Sequence, residues 1–124
     1  WRYTDIYYGY NPFFGNEMVE ETGDTPHSIW TPIAQMTYDG YTRGTDQEIK
    51  RIFAFLEKIL KCVRPHSLFR GPTEPIREDG LQYHCQWTRL DPYRVKGKET
   101  ILDYTLHQEK PPSYQLEFQF CCLH

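Results

Sequence analysis

The sequence predicts an α+β fold with two three-stranded antiparallel β units separated by one amphipathic helix, in the order β-β-β-α-β-β-β. A strongly periodic helical segment lies mid-chain between stretches rich in aromatic β-formers, and both stretches share a short Gly-x-Glu pattern. A length of 124 residues suits a single domain with one core. The predicted parts are the first β unit 1–44, the helix 45–64, a connection 65–80 and the second β unit 81–124.

The first β unit is predicted to hold three short strands separated by turns rich in Gly, Pro, Asn and Asp. The strands are residues 1–10, 17–22 and 28–38. Pro32 inside the third strand favours either an edge position or a bulge, because proline cannot donate to a β ladder. Asp39-Gly40 and Arg43-Gly44 are expected to close the unit.

The helix has a start signal, a stop signal and a continuous apolar stripe. Thr45 and Glu48 form a capping-box pattern, and Pro65 ends the helix. The stripe recurs at spacings of three and four and comprises Ile49, Ile52, Phe53, Leu56, Ile59, Leu60 and Val63. Phe55 lies off this stripe, so it is expected to cover a neighbouring element or an interface.

The second β unit is predicted to contain strands at 81–88, 99–106 and 114–123. Between the first two lies a basic hairpin loop, Arg89 to Lys98, with Pro92 and Gly97. In the last strand apolar and polar residues alternate, which indicates one buried and one solvated face.

The two units share a short repeat, which gives the fold a pseudo-twofold character. Phe13-x-Gly15-x-Glu17 aligns with Val95-x-Gly97-x-Glu99. Each glycine is expected to serve a hairpin with positive φ, and each glutamate to project from an equivalent place on the sheet. The halves differ in charge, because residues 1–30 carry five acidic side chains against the single basic Arg2, whereas the stretch Arg89 to Lys98 is basic.

The net charge and the hydropathy of the chain limit the kinds of partner that we expect it to bind. The net charge is −3, and no apolar run is long enough to span a membrane. Weak acidity argues against nucleic acid, for which only the basic loop Arg89 to Lys98 is a candidate. The chain is expected to be cytoplasmic and of bacterial origin, with no leader visible. It begins at Trp1 rather than Met, so a preceding leader or domain stays open.

The reactive side chains give no strong chemical motif. The four cysteines lie in the second half and are expected to be reduced and mostly buried. Cys121 and Cys122 point to opposite faces of a strand, so we expect no metal site and no cofactor. Glycine-rich phosphate loops and Gly-x-Ser-x-Gly nucleophile motifs are missing from the sequence.

Several short motifs together resemble a known family. They are Tyr7-Tyr8-Gly9, Phe14-Gly15-x-Glu17, Ile29-Trp30, Phe69-Arg70-Gly71-Pro72, Tyr83-x-Cys85 and Gly97-x-Glu99. The chain resembles a family of small uncharacterised bacterial and archaeal domains of unknown function, some of them fused to helix-turn-helix regulators. The resemblance implies a binding or regulatory module and supplies no catalytic residue.

These observations favour a binding or regulatory domain over an enzyme. An aromatic-lined sheet face is expected to take a small ligand or a partner. Its predicted residues are Tyr7, Glu17, Trp30, Arg70, Tyr83, Trp87 and Glu99. One alternative is a small enzyme that uses Glu17 and Glu99 as acid and base. The other is a self-associating module, with the same surface forming a homodimer.

Overall fold

The computed structural model describes residues 1–9, 11–25, 27–61, 74–105 and 112–122. It shows one antiparallel sheet of seven strands and a single helix. The strands are β1 (Arg2–Gly9), β2 (Phe13–Glu21), β3 (Thr31–Thr42), β4 (Ile76–Glu78), β5 (Leu81–Asp91), β6 (Arg94–Asp103) and β7 (Tyr114–Cys122), and the helix is α1 (Asp46–Lys61). The predicted α+β class with an antiparallel sheet is therefore confirmed.

The strand order across the sheet is β1-β2-β3-β7-β6-β5-β4. The predicted arrangement of three strands on each side of the helix is not confirmed, because β4 adds a fourth strand after it. β4 lies within the predicted connection 65–80 and pairs with β5 through the turn Asp79-Gly80. Both turn residues have positive φ, 50° and 80°, as a two-residue type I′ hairpin requires.

The sheet register makes the two halves correspond. Gly15 of β2 lies opposite Tyr38 of β3, and Gly97 of β6 lies opposite Phe118 of β7. Tyr38 and Phe118 are themselves opposite each other where β3 pairs with β7. One row of residues across the sheet therefore consists, in order, of Tyr7, Gly15, Tyr38, Phe118, Gly97 and Trp87. Read inward from either end of this row, the order is aromatic, glycine, aromatic.

The repeated glycines occupy strand interiors, so the prediction that they form hairpins is wrong. Neither Gly15 nor Gly97 has positive φ. A Cβ on Gly15 would stand 2.0 Å from the Tyr38 ring, and one on Gly97 would stand 2.3 Å from the Phe118 ring. Each glycine leaves space for an aromatic ring from the neighbouring strand, which explains why the repeat carries glycine.

Two predicted loops are parts of strands. β2 begins at Phe13, so residues 13–16 are strand and not the turn that the sequence predicts. The predicted basic loop 89–98 is a hairpin in which β5 and β6 continue to a two-residue turn at Pro92-Tyr93. Val95 is buried within it, so the stretch contributes to the core as well as to the solvent face.

Pro32 lies at a bulge, one of the two positions that its presence in β3 predicts. The register shifts between Val19, which pairs with Ala34, and Glu20, which pairs with Pro32. Pairing of β3 with β7 starts only at Ala34, so Pro32 is not required to donate to that ladder.

The helix begins where the capping pattern predicts. The Thr45 hydroxyl accepts a hydrogen bond from the backbone N–H of Glu48 at 3.2 Å. The stripe buries Ile49, Ile52, Leu56 and Ile59, and Phe55 is buried with them. Val63 lies outside the described residues.

The side-chain contacts of α1 join it to the second half of the sheet. Arg51 pairs with Asp103 of β6 at 2.9 Å, and Phe53 meets Tyr114 of β7 edge-on with ring centroids 6.2 Å apart. Lys58 pairs with Glu78 of β4. The face of the sheet that α1 covers holds the buried core residues of β2, β3, β7, β6 and β5. At β1 this same face is exposed.

Candidate functional site

Two carboxylates face each other across β1 and β2. Asp5 and Glu17 are direct partners in the register of this pair, on the face of the sheet that carries the core. Asp5 is exposed and Glu17 is half-buried. Like charges placed directly opposite on adjacent strands oppose sheet formation, so this arrangement does not serve strand pairing.

Tyr38 reaches this carboxylate pair from β3. Its ring crosses over Gly15, and its hydroxyl donates a hydrogen bond to Asp5 at 2.9 Å. A side chain at position 15 would block this path, so the glycine of the repeat allows a third strand to contact Asp5. The contact engages one oxygen of the Asp5 carboxylate.

Two exposed tyrosines of β1 flank Asp5 on the same face. Tyr3 is 61% exposed and Tyr7 is 51% exposed. Tyr7 stacks on the buried Phe13, with ring centroids 6.0 Å apart and planes inclined by 28°. The Asp5–Glu17 site thus consists of two acids between aromatic rings: Tyr3, Asp5, Tyr7 and Glu17.

The corresponding place in the second half is closed. Glu99 occupies the position on β6 that Glu17 occupies on β2, and its cross-strand partner is Cys85 where Glu17 has Asp5. Glu99 is completely buried and accepts hydrogen bonds from the hydroxyls of Tyr83 and, at 2.6 Å, Tyr114. The repeat therefore places one glutamate in the core and the other at an open surface.

Tyr83 keeps its proton in this buried cluster. Burial, together with the adjacent Glu99 charge and its hydrogen bond, raises the pKa of Tyr83 far above its ordinary value. A protonated hydroxyl is the state that can donate to a carboxylate. With no solvent access, the Tyr83–Glu99–Tyr114 cluster is suited to holding the second half together rather than to binding a substrate.

The structure brings together only some of the predicted site residues. Tyr7 and Glu17 share the open face of the first half, whereas Tyr83 and Glu99 lie in the core of the second half. Trp87 lies on β5 opposite Gly97, beyond the reach of the first-half pair. Arg70 lies outside the described residues.

Trp30 precedes β3 and lies under the guanidinium of Arg2. The Arg2 Cζ atom is 4.4 Å from the Trp30 ring centroid, and Arg2 also pairs with Glu20 at 2.9 Å. This cluster joins the start of β1 to the chain entering β3, which gives Trp30 a structural role.

Glu17 and Glu99 do not converge. They lie on β2 and β6, with β3 and β7 between them. Glu17 lies level with Val95 in the sheet register, four residues from Glu99. Three steps of about 4.8 Å between strands and this offset of about 13 Å along the strands separate the two glutamates by roughly 20 Å. A shared acid–base mechanism needs both carboxylates at one substrate atom or bond, and this geometry does not provide it.

Tyr3, Asp5 and Tyr38 contribute to the site but are absent from the predicted set of site residues, and the least apparent of the three from the sequence is Tyr38. The sequence signal for Tyr38 is the alternation of side chains along β3, which places Tyr38 on the same face as Met36 and Ala34. Recognising its link to Asp5 also requires the register of three strands, which the sequence does not display.

The basic hairpin carries internal ion pairing. Arg94 pairs with Asp91 at 2.7 Å, and that hydrogen bond, with one from the Tyr93 backbone, lowers the pKa of Asp91 below its ordinary value. Asp91, Arg94 and Cys121 contribute to an open depression of about 360 Å³ beside the turn. Part of the positive charge predicted for residues 89–98 is therefore offset.

The thiols and acids of the described ranges do not form a metal centre. Nowhere in those ranges do three or more His, Cys, Asp or Glu side chains gather as metal ligands would. Cys85, Cys121 and Cys122 are free thiols, and Cys62 lies outside the described residues. The helix of the described part is neither long enough nor apolar enough to cross a membrane.

Comparison with known families bears out the resemblance seen in the sequence. A family model described as a domain of unknown function (DUF5680) matches residues 5–119. The chain belongs to this family. Membership in DUF5680 brings no established activity, and fusion to a helix-turn-helix regulator stays a prediction. No curated protein and no solved structure is significantly similar to the chain.

Proposed function

We propose that the chain is a non-catalytic binding domain that takes a small organic cation, an ammonium or guanidinium compound, at the Asp5–Glu17 site. The observation that carries the proposal is the direct cross-strand pairing of two acids on an open face. A bound cation offsets the repulsion between them, because each carboxylate gains a charge-assisted hydrogen bond.

The aromatic rings support the same class of ligand. Tyr3 and Tyr7 stand on either side of Asp5 along β1 and expose ring surface. A cation over such a ring is attracted by its negative face, and an attached alkyl chain gains apolar contact. Anionic ligands are disfavoured by both carboxylates, so the site selects by charge.

The enzyme alternative has no comparable support, because Glu17 and Glu99 lie on separate parts of the sheet. The predicted regulatory role is compatible with ligand binding and stays a prediction. The predicted wider aromatic face, which included Trp30 and Trp87, is narrowed in this proposal to the part on β1 and β2.

Calorimetric titration with agmatine, which carries both an ammonium and a guanidinium group, tests the proposal. We expect Asp5→Asn to weaken binding by about tenfold or more, because it removes one charge-assisted hydrogen bond worth about 1.5–3 kcal/mol. Asp39→Asn is the matched control, since Asp39 is an exposed acid on the opposite face of β3. It should leave the affinity unchanged.

Two results would contradict cation binding at this site. One is an unmodified chain that binds neither agmatine, putrescine nor choline at millimolar concentration. The other is an equal loss of affinity in the Asp5→Asn and Asp39→Asn variants, which would indicate a general charge effect rather than a site.

A further inference from the structure

We infer that a second copy of this chain pairs with the outer edge of β1, in antiparallel register, to form one sheet across two molecules. β1 is the terminal strand of the sheet, and no strand of the described part pairs with its outer edge. It is eight residues long and contains no lysine and no proline. A long edge strand of this kind offers a row of backbone donors and acceptors to another strand.

The opposite edge of the sheet, formed by β4, differs from β1 in length and in charge. β4 is only three residues long, Ile76–Glu78, and two of the three carry charge. Short, charged edges are the usual protection against pairing between chains. The chain thus protects one edge and leaves the other suited to pairing.

An apolar patch lies beside the unprotected edge on the face away from the helix. Ile6 and Tyr8 of β1 and Phe14 of β2 share that face, and each is about half exposed or more. Pairing through β1 brings the patches of two copies together. The aromatic and apolar area gained there adds to the backbone hydrogen bonds.

Charge selects the register of this pairing. A twofold axis perpendicular to the sheet passes through a single residue position of β1, and an axis at Asp5 or at Ile6 pairs seven of its eight residues, 2–8 or 3–9. The Asp5 register sets two carboxylates directly opposite each other, which disfavours it. The Ile6 register sets Ile6 opposite Ile6 and Tyr7 opposite Asp5, so apolar and hydrogen-bonding pairs replace the repulsion.

The inferred dimer depends on pairing between the β1 strands of two copies, and it does not require the cation that we propose as the ligand. In the Ile6 register, Tyr7 of each copy lies across from Asp5 of the other. The two Asp5–Glu17 sites therefore become neighbours on one face of the joined sheet.

Engineered cysteines test the register. Residues directly opposite in an antiparallel pair have Cα atoms about 4.5–5.5 Å apart, which suits a disulfide. Under mild oxidation Ile6→Cys should form a disulfide dimer through the introduced thiols of the two copies, identified by peptide mapping to separate it from the native thiols. Tyr8→Cys is the matched control on the same strand and face, because its two copies would lie roughly 14 Å apart.

Light scattering tests the association itself. The unmodified chain should approach twice its mass of 14.9 kDa as concentration rises. Ile6→Lys should raise the apparent dissociation constant at least tenfold, because two ammonium groups would meet at the axis. Thr37→Lys, an exposed position on the same face of β3, should behave as the unmodified chain does.

A monomer at every concentration would overturn the inference, and so would cross-linking of Tyr8→Cys as readily as Ile6→Cys. Agmatine titration of the Ile6→Lys variant distinguishes failure of the inferred dimer from failure of the proposed cation binding. Ile6 faces away from the Asp5–Glu17 site, so loss of the dimer and loss of ligand binding are separate results.

Discussion

At the scale of single residues, Glu99 is the one fully buried charged side chain among the described residues. Its carboxylate is held by the hydroxyls of Tyr83 and Tyr114, whose rings also fill the core. A buried carboxylate is tolerated only when its oxygens are satisfied, so each tyrosine contributes through its hydroxyl as well as through its ring. The cluster is a stabilising device at the position where the first half has an open site.

Removing one of these hydroxyls should destabilise the fold. We expect Tyr114→Phe to lower the free energy of unfolding by about 2 kcal/mol, because a hydrogen bond to a buried charge is lost. Urea unfolding measures the change. Tyr104→Phe is the control, because its hydroxyl bonds Gln82 at the surface, and it should cost less than about 0.5 kcal/mol. Equal costs would contradict the role given to the buried cluster.

Asp103 should make stability depend on pH in the acid range. Burial alone would raise the pKa of Asp103, but hydrogen bonds from Thr105 and the charge of Arg51 more than offset this and lower it. Because the folded pKa lies below the unfolded value of about 3.9, the stabilisation is present above about pH 4 and is lost as pH falls through the folded pKa.

The expected result is a stability difference between the unmodified chain and Asp103→Asn that is large at pH 6.5 and small at pH 2.5. Urea unfolding at both pH values measures it. Asp24→Asn, in an exposed turn, should show no such pH-dependent difference. A stability difference between the unmodified chain and Asp103→Asn that stays constant with pH would contradict the linkage between Asp103 ionisation and folding.

At the scale of elements, β2 and β3 are held in register by a ring over a glycine. Tyr38 occupies the space above Gly15 and continues to Asp5, so the same contact packs three strands and orients the site. The corresponding ring in the second half is Phe118, which has no hydroxyl. The halves thus share a packing device, and only the first half adds a polar function to it.

A methyl group at position 15 should disrupt this contact. We expect Gly15→Ala to lower the free energy of unfolding by about 1–3 kcal/mol, because the Tyr38 ring must move. Gly23→Ala is the control, since its methyl would meet only the flexible Ser28 side chain. In a double-mutant cycle, Gly15→Ala with Tyr38→Leu should cost less than the sum of the two single changes. Strict additivity would contradict the proposed steric contact.

At the scale of the whole molecule, local signals predict the main parts of the fold. The cap at Thr45, the stripe of α1 and the alternation of β7 are periodic patterns within one element, so they give the helix and the last strand correctly. The stretch 89–98 resembles a loop in sequence because its outward side chains are basic and Gly97 looks like a turn residue. The buried Val95 and the ring over Gly97 depend on neighbouring strands, which a local pattern does not contain.

The candidate site is predictable only in part, for the same reason. Tyr7 and Glu17 are expected on an aromatic face, but their link to Asp5 and Tyr38 depends on the pairing of β1, β2 and β3. A slip of one residue between β1 and β2 would place the two acids on opposite faces, and a slip between β2 and β3 would place Tyr38 on the face away from them. Register is a non-local property, and here it separates the open acidic pair from the buried Glu99.

An NMR titration of the uniformly ¹⁵N-labelled chain with agmatine shows directly whether a cation binds at the Asp5–Glu17 site. We expect saturable shifts of the backbone amides of Tyr3, Asp5, Tyr7 and Glu17, and their loss in the Asp5→Asn variant. Shifts confined to the hairpin around Asp91 and Arg94, or no saturable shift on β1 and β2, would contradict it.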